Sequence, residues 1–559
     1  MPTMTAGESL VRTLISSGVE YLFGLPGTSG FGMMAALAQQ KQVTFILALH
    51  ETCAAGMADG YARATQRPAV AYVSTMPGTC NAIGSLYDAY RDRSPLIVLS
   101  TQQDTRLLGR DPHTSSSDMI ELARQVTKWC WEVPRAERAA EALRRALKVA
   151  ASPPQGPVYL ALPSNLMSEE VEIDHFPAEP CVTSRTLGCD SEAARRAATL
   201  MLDAERPLIV AGSDVARDGA VSDLVALADL VACPVVTEPR NSYHPFPTTH
   251  PMAFNLPDRL LSYDLPQYGP PDVVLGVGCR LVREYRHNAP PPITPATRVI
   301  QFSEEPWELG KIFHVDVAAI ADAKSALLAL GSAVQAAMTP QRSRRAEKRY
   351  ERVQAARAAY DGQLEKEASQ GWGEAPIKPW RLVREMSAAL PRDVFIVNEC
   401  PTSKLFLTRH FSIHHPERWF ASSAAGCLGW GLPAALGVQL AHPTQKVVAC
   451  IGDGSFMFSN QALWTAQRYQ LPVLIIVFNN HAYMAVKNQL RQRGNLSPEL
   501  ASIGTDFGET GINFARLAQA FDIPGERVEE PEAIRPALER ALAVKGPALV
   551  DVLIDQCQD

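Results

Sequence analysis

The chain has 559 residues, 46% of them apolar and 20% charged, with a formal net charge of −6. That composition can fill several globular cores and excludes a disordered chain, and the small negative balance gives no reason to expect nucleic acid or an anionic membrane as partner. Eleven cysteines without a Cys-x-x-Cys pair, strand-sized apolar runs and an N-terminus (MPTMTAGESL) without a basic stretch leading into an apolar one argue against a disulfide scaffold, a membrane span and secretion, so a cytoplasmic protein is expected.

From Ser9 to Ser164 helical stretches alternate with short apolar runs at Tyr21–Gly24, Thr44–Leu49, Ala69–Ser74, Leu96–Ser100 and Val158–Leu162. This alternation predicts a doubly wound parallel sheet. The Gly/Pro-rich turn after Phe23 carries Thr28, and the third run ends at Ser74. Glu51 opens an Ala/Gly-rich helix, where a carboxylate suits the helix N-terminus. His50-Glu51 is no zincin motif, because position 54 is Ala where His-Glu-x-x-His requires histidine. A polar stretch after Pro180 reads as a linker, so residues 1–180 form the first predicted domain.

Residues 190–340 repeat the αβ pattern, with strands predicted near Leu208–Ala211, Val235–Thr237, Val273–Val277 and Val299–Phe302. Gly276-Val277-Gly278 is an incomplete dinucleotide fingerprint, since position 281 is Leu, and a structural middle domain is expected. Gln341–Glu367, dense in Arg, Lys, Glu and Ala, reads as a solvated linking helix. A third αβ domain spans 370–559 and contains Val394–Val397 leading to Thr402, then the small-residue turn Ala424 to Trp430 with Gly426 and one bulky Leu428.

In this last domain Val447–Ile451 ends in Gly452-Asp453-Gly454-Ser455, and a second apolar run, Val473–Phe478, ends in Asn479-Asn480. Parallel strands present their carboxyl ends on one edge, so Asp453 and Asn480 should share a crevice. One carboxylate and one amide oxygen are too few ligands for Ca²⁺ but suit Mg²⁺ that also binds phosphate and water, and the amides after Ser455 favour an anion. The implied ligand is a magnesium diphosphate.

Gly-Asp-Gly followed by an Asn-Asn pair, the second Asn 27 positions beyond the Asp, resembles the signature of thiamine-diphosphate enzymes. The stretch from His50 to Arg63, Pro77-Gly78-Thr79-Cys80-Asn81, Gln155-Gly156-Pro157-Val158 and Pro245-Phe246-Pro247-Thr248 extend the likeness over nearly the whole chain, with benzoylformate decarboxylases, acetolactate synthases and 2-hydroxyacyl-CoA lyases as the related groups. The resemblance implies three doubly wound parallel-sheet domains (pyrimidine-binding, middle, diphosphate-binding). It implies thiamine diphosphate and Mg²⁺ as cofactors, the metal held by the Asp453 and Asn480 side chains and the Ala482 carbonyl. Glu51 would contact the aminopyrimidine, Gly426 receive its amine, Leu428 prop the cofactor into a folded shape, and Thr402, Gly454, Ser455 and Tyr483 line its site. In the family Glu51 and Asp453 come from different protomers, so a homodimer is the minimum and a homotetramer the usual state.

The substrate side departs from the pattern. Where benzoylformate decarboxylases carry two acid/base histidines, this chain has Ser74 and Tyr285. A hydroxyl does not shuttle protons near neutral pH as imidazole does. His50, His113 and His481 are candidates to replace them, and Thr28 matches a hydroxyl that contacts substrate carboxylate. The expected function is non-oxidative decarboxylation of a 2-keto acid. The alternative is a carboligase or lyase handling acyloins, acetolactate or 2-hydroxyacyl-CoA with aldehyde or acyl-CoA substrates.

Overall fold

The computed structural model describes residues 3–556 apart from 117, 173–183, 257–264, 282–292, 423–424, 495 and 509–510. Tyr285 lies outside the described residues. Three six-stranded sheets, each wholly parallel, organise the chain. Their strands are buried on both faces, which is why they read as continuous apolar runs: along Val70–Val73, alternate residues point into two different cores.

In the first sheet the spatial order is Thr44–Leu47, Tyr21–Gly24, Ala69–Ser74, Leu96–Gln102, Val158–Pro163, Trp129–Glu132. In the last it is Trp419–Ala421, Phe395–Glu399, Val447–Gly452, Leu474–Asn479, Ala548–Leu553, Gly525–Val528. Numbered within each sheet, both follow the order 2-1-3-4-6-5. The middle sheet runs Ala253–Phe254, Val235–Thr237, Pro207–Ala211, Val273–Val277, Arg298–Ser303, Val317–Ile320, the 3-2-1-4-5-6 order of dinucleotide-binding folds. The sequence reading omitted mainly edge or short polar-interrupted strands such as Trp129–Glu132, Val317–Ile320 and Gly525–Val528, together with a small antiparallel ribbon, Thr3–Thr5 against Glu170–Glu172.

The first and last domains share one core. The helices that follow the second strand of each, Glu51–Thr65 and Gly431–Ala441, cross with their backbones nearly touching: a Cβ on Gly60 would lie 2.2 Å from the Ala434 carbonyl oxygen, and one on Gly437 2.0 Å from that of Met57. Equivalent helices of two like-wound domains thus pack on each other, which explains why the Glu51 helix is so rich in Ala and Gly.

The long helix Pro340–Ser369 differs from the expected solvated linker. Its arginines cap another helix: Arg345 donates to the Asp203 carbonyl, Arg349 to that of Met201 and Arg352 to that of Glu205, while Arg342 pairs with the Asp203 carboxylate. The Met201 and Asp203 carbonyls end the Ser191–Asp203 helix, whose C-terminus favours cations, and Glu205 follows just beyond it.

The middle domain's switch point, between Pro207–Ala211 and Val273–Val277, is filled by protein. The Asp214 amide donates to the Gly278 carbonyl, and Arg217 and Arg93 bridge Asp214 and Glu304 across it. Among the described residues the cavity left there measures about 20 Å³, room for about one water molecule.

Candidate active site

Each outer domain gathers candidate site residues at the carboxyl ends of its strands. In the last domain the register Gly452↔Phe478 sets Asp453 beside Asn480. The Asp453 carboxylate is 3% exposed. One of its oxygens accepts from the Gly454 amide at 2.8 Å, and the other from the amides of Asn480 at 3.0 Å and Ala482 at 3.3 Å. Burial pushes its pKa up to about 7, against the opposing pull of those amides. A dication would offset that desolvation. Among the described residues no group of three or more His, Cys, Asp or Glu could hold a metal by itself. One carboxylate with neighbouring amide and carbonyl oxygens therefore fits a cation that completes its shell with phosphate and water.

Asn480 accepts from the Ala482 amide at 3.1 Å, while Asn479 turns the other way to bond Asp551 and the Ile512 carbonyl. Only the second Asn of the pair therefore faces the crevice. His481, which follows the pair, adopts φ +58, its ring against Gly511, and burial lowers its pKa. Gly454 lies under the Tyr483 ring, where a Cβ would sit 2.6 Å from the nearest ring carbon, and Tyr483 packs edge-on against Phe507. Ser455 is buried and Thr402 half-buried. Across the switch point, the buried Glu399 carboxylate accepts from the Gly429 and Gly431 amides and so shapes the turn bearing Gly426 and Leu428. Burial raises it to about 7. Gly426 (φ +78) needs glycine's freedom, and Leu428 is half-buried. The sequence reading gave Glu399 no part, although a carboxylate ending a buried strand was a visible signal.

In the first domain His50 caps the Glu51 helix, its Nδ1 accepting from the Thr52 amide at 3.2 Å. Glu51 is 6% exposed, and one carboxylate oxygen accepts from Asn81 Nδ2 at 2.9 Å. The other lies over Gly78, 3.0 Å from where a Cβ would stand. Thr28 and Ser74 stand at the carboxyl ends of the two strands that flank the switch point, Thr28 exposed on a single 3₁₀ turn. The Ser74 hydroxyl is tucked 1.9 Å from the position of a Gly27 Cβ and 3.4 Å from the Thr101 hydroxyl. His113 has an exposed side chain on a loop pinned by Gln103, which donates to the His113 carbonyl at 2.7 Å. The two histidines beside the half-sites are thus engaged structurally, His50 as a cap and His481 in packing.

Family models for the thiamine pyrophosphate enzymes match the chain three times: the N-terminal TPP binding domain over 4–122, the central domain over 194–330 and the C-terminal TPP binding domain over 401–552. The chain belongs to the thiamine pyrophosphate enzyme family. It is 28% identical to a probable acetolactate synthase large subunit of Methanocaldococcus jannaschii, covering 99% of this chain and 93% of the relative. It is equally 28% identical to benzoylformate decarboxylase of Pseudomonas aeruginosa over 98% of both. The solved thiamine diphosphate-dependent 4-hydroxybenzoylformate decarboxylase of Rhodococcus jostii superposes with a TM-score of 0.84 over all of both chains at 26% identity. As a thiamine pyrophosphate enzyme whose relatives include a benzoylformate decarboxylase, acetolactate synthases and a glyoxylate carboligase, the protein falls in the lyase and decarboxylase class. Among the described residues no helix is long and apolar enough to cross a membrane.

Proposed function

We propose that the protein is a thiamine-diphosphate-dependent, Mg²⁺-requiring, non-oxidative decarboxylase of a 2-keto acid. The observation that carries this reading is the pair of half-sites: a buried carboxylate beside Asn480 at one, and a buried carboxylate with a neutral partner at the other. When bound, thiamine diphosphate supplies a nucleophilic carbon and an electron sink for loss of CO₂. Asp453, Asn480 and the Ala482 carbonyl would hold the metal, with the Gly454 and Ser455 amides and Thr402 around the diphosphate. Tyr483, Gly426 and Leu428 line the ring end. Glu51 would hold a proton at the aminopyrimidine, and Thr28 would meet the substrate carboxylate.

The hydrogen bonds of Glu51 and of Asp453 stay within their own domains, so a second copy would supply the missing half. Apolar side chains exposed beside both halves support this: Phe31 (75%) and Leu49 (42%) at one, Met457 (40%) and Phe458 (50%) at the other. At least a homodimer is proposed, with a homotetramer as the expected assembly and 1–180, 190–340 and 370–559 as its working domain limits.

A second reading, a carboligase, is favoured by the Ser74 hydroxyl being tied to Thr101 with no imidazole in its place. Slow proton delivery after CO₂ loss leaves time for an acceptor aldehyde. The test is to incubate the protein with thiamine diphosphate, Mg²⁺ and a panel of aryl and branched 2-keto acids, with and without aldehydes, and to measure CO₂ and organic products. Absence of CO₂ release from every 2-keto acid would overturn the decarboxylase reading.

A further inference from the structure

Glu51 is held by an unusual economy of contacts. It enters no ion pair among the described residues, and its buried carboxylate has one side-chain donor, Asn81 Nδ2 at 2.9 Å. Asn81 is tied to the same turn a second time, its carbonyl accepting from the Thr52 hydroxyl at 2.7 Å, and one helical turn on, Ser85 donates to the Thr52 carbonyl at 3.3 Å. The start of the Glu51–Thr65 helix is thereby clamped to one stripe of the Thr75–Asp92 helix. Gly78, on that same helix, leaves the second carboxylate oxygen uncovered.

We propose that Asn81 is a positioning residue for Glu51: its amide fixes one carboxylate oxygen so that the other points at the protonated or N–H-bearing ring nitrogen of a bound heteroaromatic cofactor. This rests on the reading of Glu51 as the group that meets the aminopyrimidine. A neutral amide suits the task. An arginine or lysine here would pair with the carboxylate and hold it ionised, whereas an amide sets its plane while leaving it free to share a proton. The titratable neighbours are His50 and Cys53 on the Glu51 helix and Cys80 beside Asn81; burial pushes the Cys53 thiol up to about 12, and Cys80 is exposed.

The test uses the full chain with Asn81→Leu, Asn81→Asp and, as reference, Glu51→Gln. Three quantities are read: cofactor affinity by quenching of tryptophan fluorescence, hydrogen–deuterium exchange at the reactive carbon of bound thiamine diphosphate, and thermal midpoint. Asn81→Leu should slow exchange at least tenfold while cofactor affinity changes less than about threefold. Asn81→Asp faces Glu51 with a second carboxylate and should exchange slowly at pH 8, recovering as pH falls and one acid of the pair becomes a hydrogen-bond donor again. Exchange that matches the parent in both Asn81 variants, while Glu51→Gln abolishes it, would overturn the positioning role and leave the Glu51 reading standing. Unchanged exchange in Glu51→Gln would overturn that reading itself. If Asn81→Leu proves too unstable to measure, the pH profile of the isosteric Asn81→Asp decides alone: a profile parallel to the parent's overturns the proposal.

Discussion

At the scale of single residues, the proposed site rests on two carboxylates kept out of water, Asp453 held by backbone amides and Glu51 by one side-chain amide. Asp453 is the only acidic side chain among the residues proposed to hold the metal, so Asp453→Ala should release thiamine diphosphate during gel filtration in Mg²⁺, checked by cofactor content of the protein peak. Retention at the parent's level would remove Asp453 from that role. Ser74 makes a different point. Its hydroxyl is wedged beside Gly27 and bonded toward Thr101, so Ser74→Ala should leave the ratio of aldehyde to 2-hydroxy ketone within about twofold when an acceptor aldehyde is present. A larger swing in the chromatographic ratio would identify Ser74 as the proton donor that the missing imidazole leaves to be found.

At the scale of elements, the crossing of Glu51–Thr65 over Gly431–Ala441 brings two domains together with no room for side chains. Gly437→Val places a branched side chain where the Met57 carbonyl already lies, and overpacking of that kind costs about 1–3 kcal/mol. The denaturation midpoint should fall accordingly, and cofactor affinity should fall with it, because the displaced helix also carries Glu51 at its start. A variant with a parent-like midpoint would show that the two helices can slide apart without consequence. The long Pro340–Ser369 helix makes the complementary case. Its charge pattern reads as solvated from sequence, yet Arg349 is 2% exposed and serves the carbonyls ending another helix. Composition alone cannot tell a solvated arginine from one that caps a distant helix.

At the scale of the whole molecule, the shared core of the outer domains carries an excess of buried acid. Asp59, Asp88, Asp92 and Glu399 come from three segments, while Arg63 pairs with Asp59 at 2.7 Å and Asp92 at 3.2 Å and stacks on Trp430. Asp88 is left over. Burial first, then Asp92 and Glu399, push its pKa to about 9, against the opposing pull of Arg63. The folded state therefore holds a proton that the unfolded chain releases near pH 4. The stability linked to this group is full below about pH 4 and falls as pH rises through about 9, by up to about 1.4 kcal/mol per pH unit. Asp88→Asn, a neutral isostere, should flatten this part of the profile, so that the drop in thermal midpoint from pH 6 to pH 8.5 is smaller than in the parent. An unchanged drop would place the proton elsewhere.

Much of this molecule is legible in its sequence, because parallel strands buried on both faces must be continuous apolar runs and the residues that end them must be polar if the edge is to bind anything. Tyr21–Gly24, Ala69–Ser74, Val235–Thr237 and Val273–Val277 are readable to the residue, and so is the neighbouring placement of Asp453 and Asn480. Edge strands such as Gly525–Val528 are not, since half their surface is solvated and their pattern matches that of loops. What only the tertiary structure decides is which groups face each other across elements. It gives Asn81 to Glu51, Glu399 to the amides of the Gly429 turn, and Arg93 with Arg217 to the carboxylates that fill the middle-domain crevice. The sequence specifies strand ends through local burial, whereas these pairings follow from the crossing angles and domain packing that long-range contacts set.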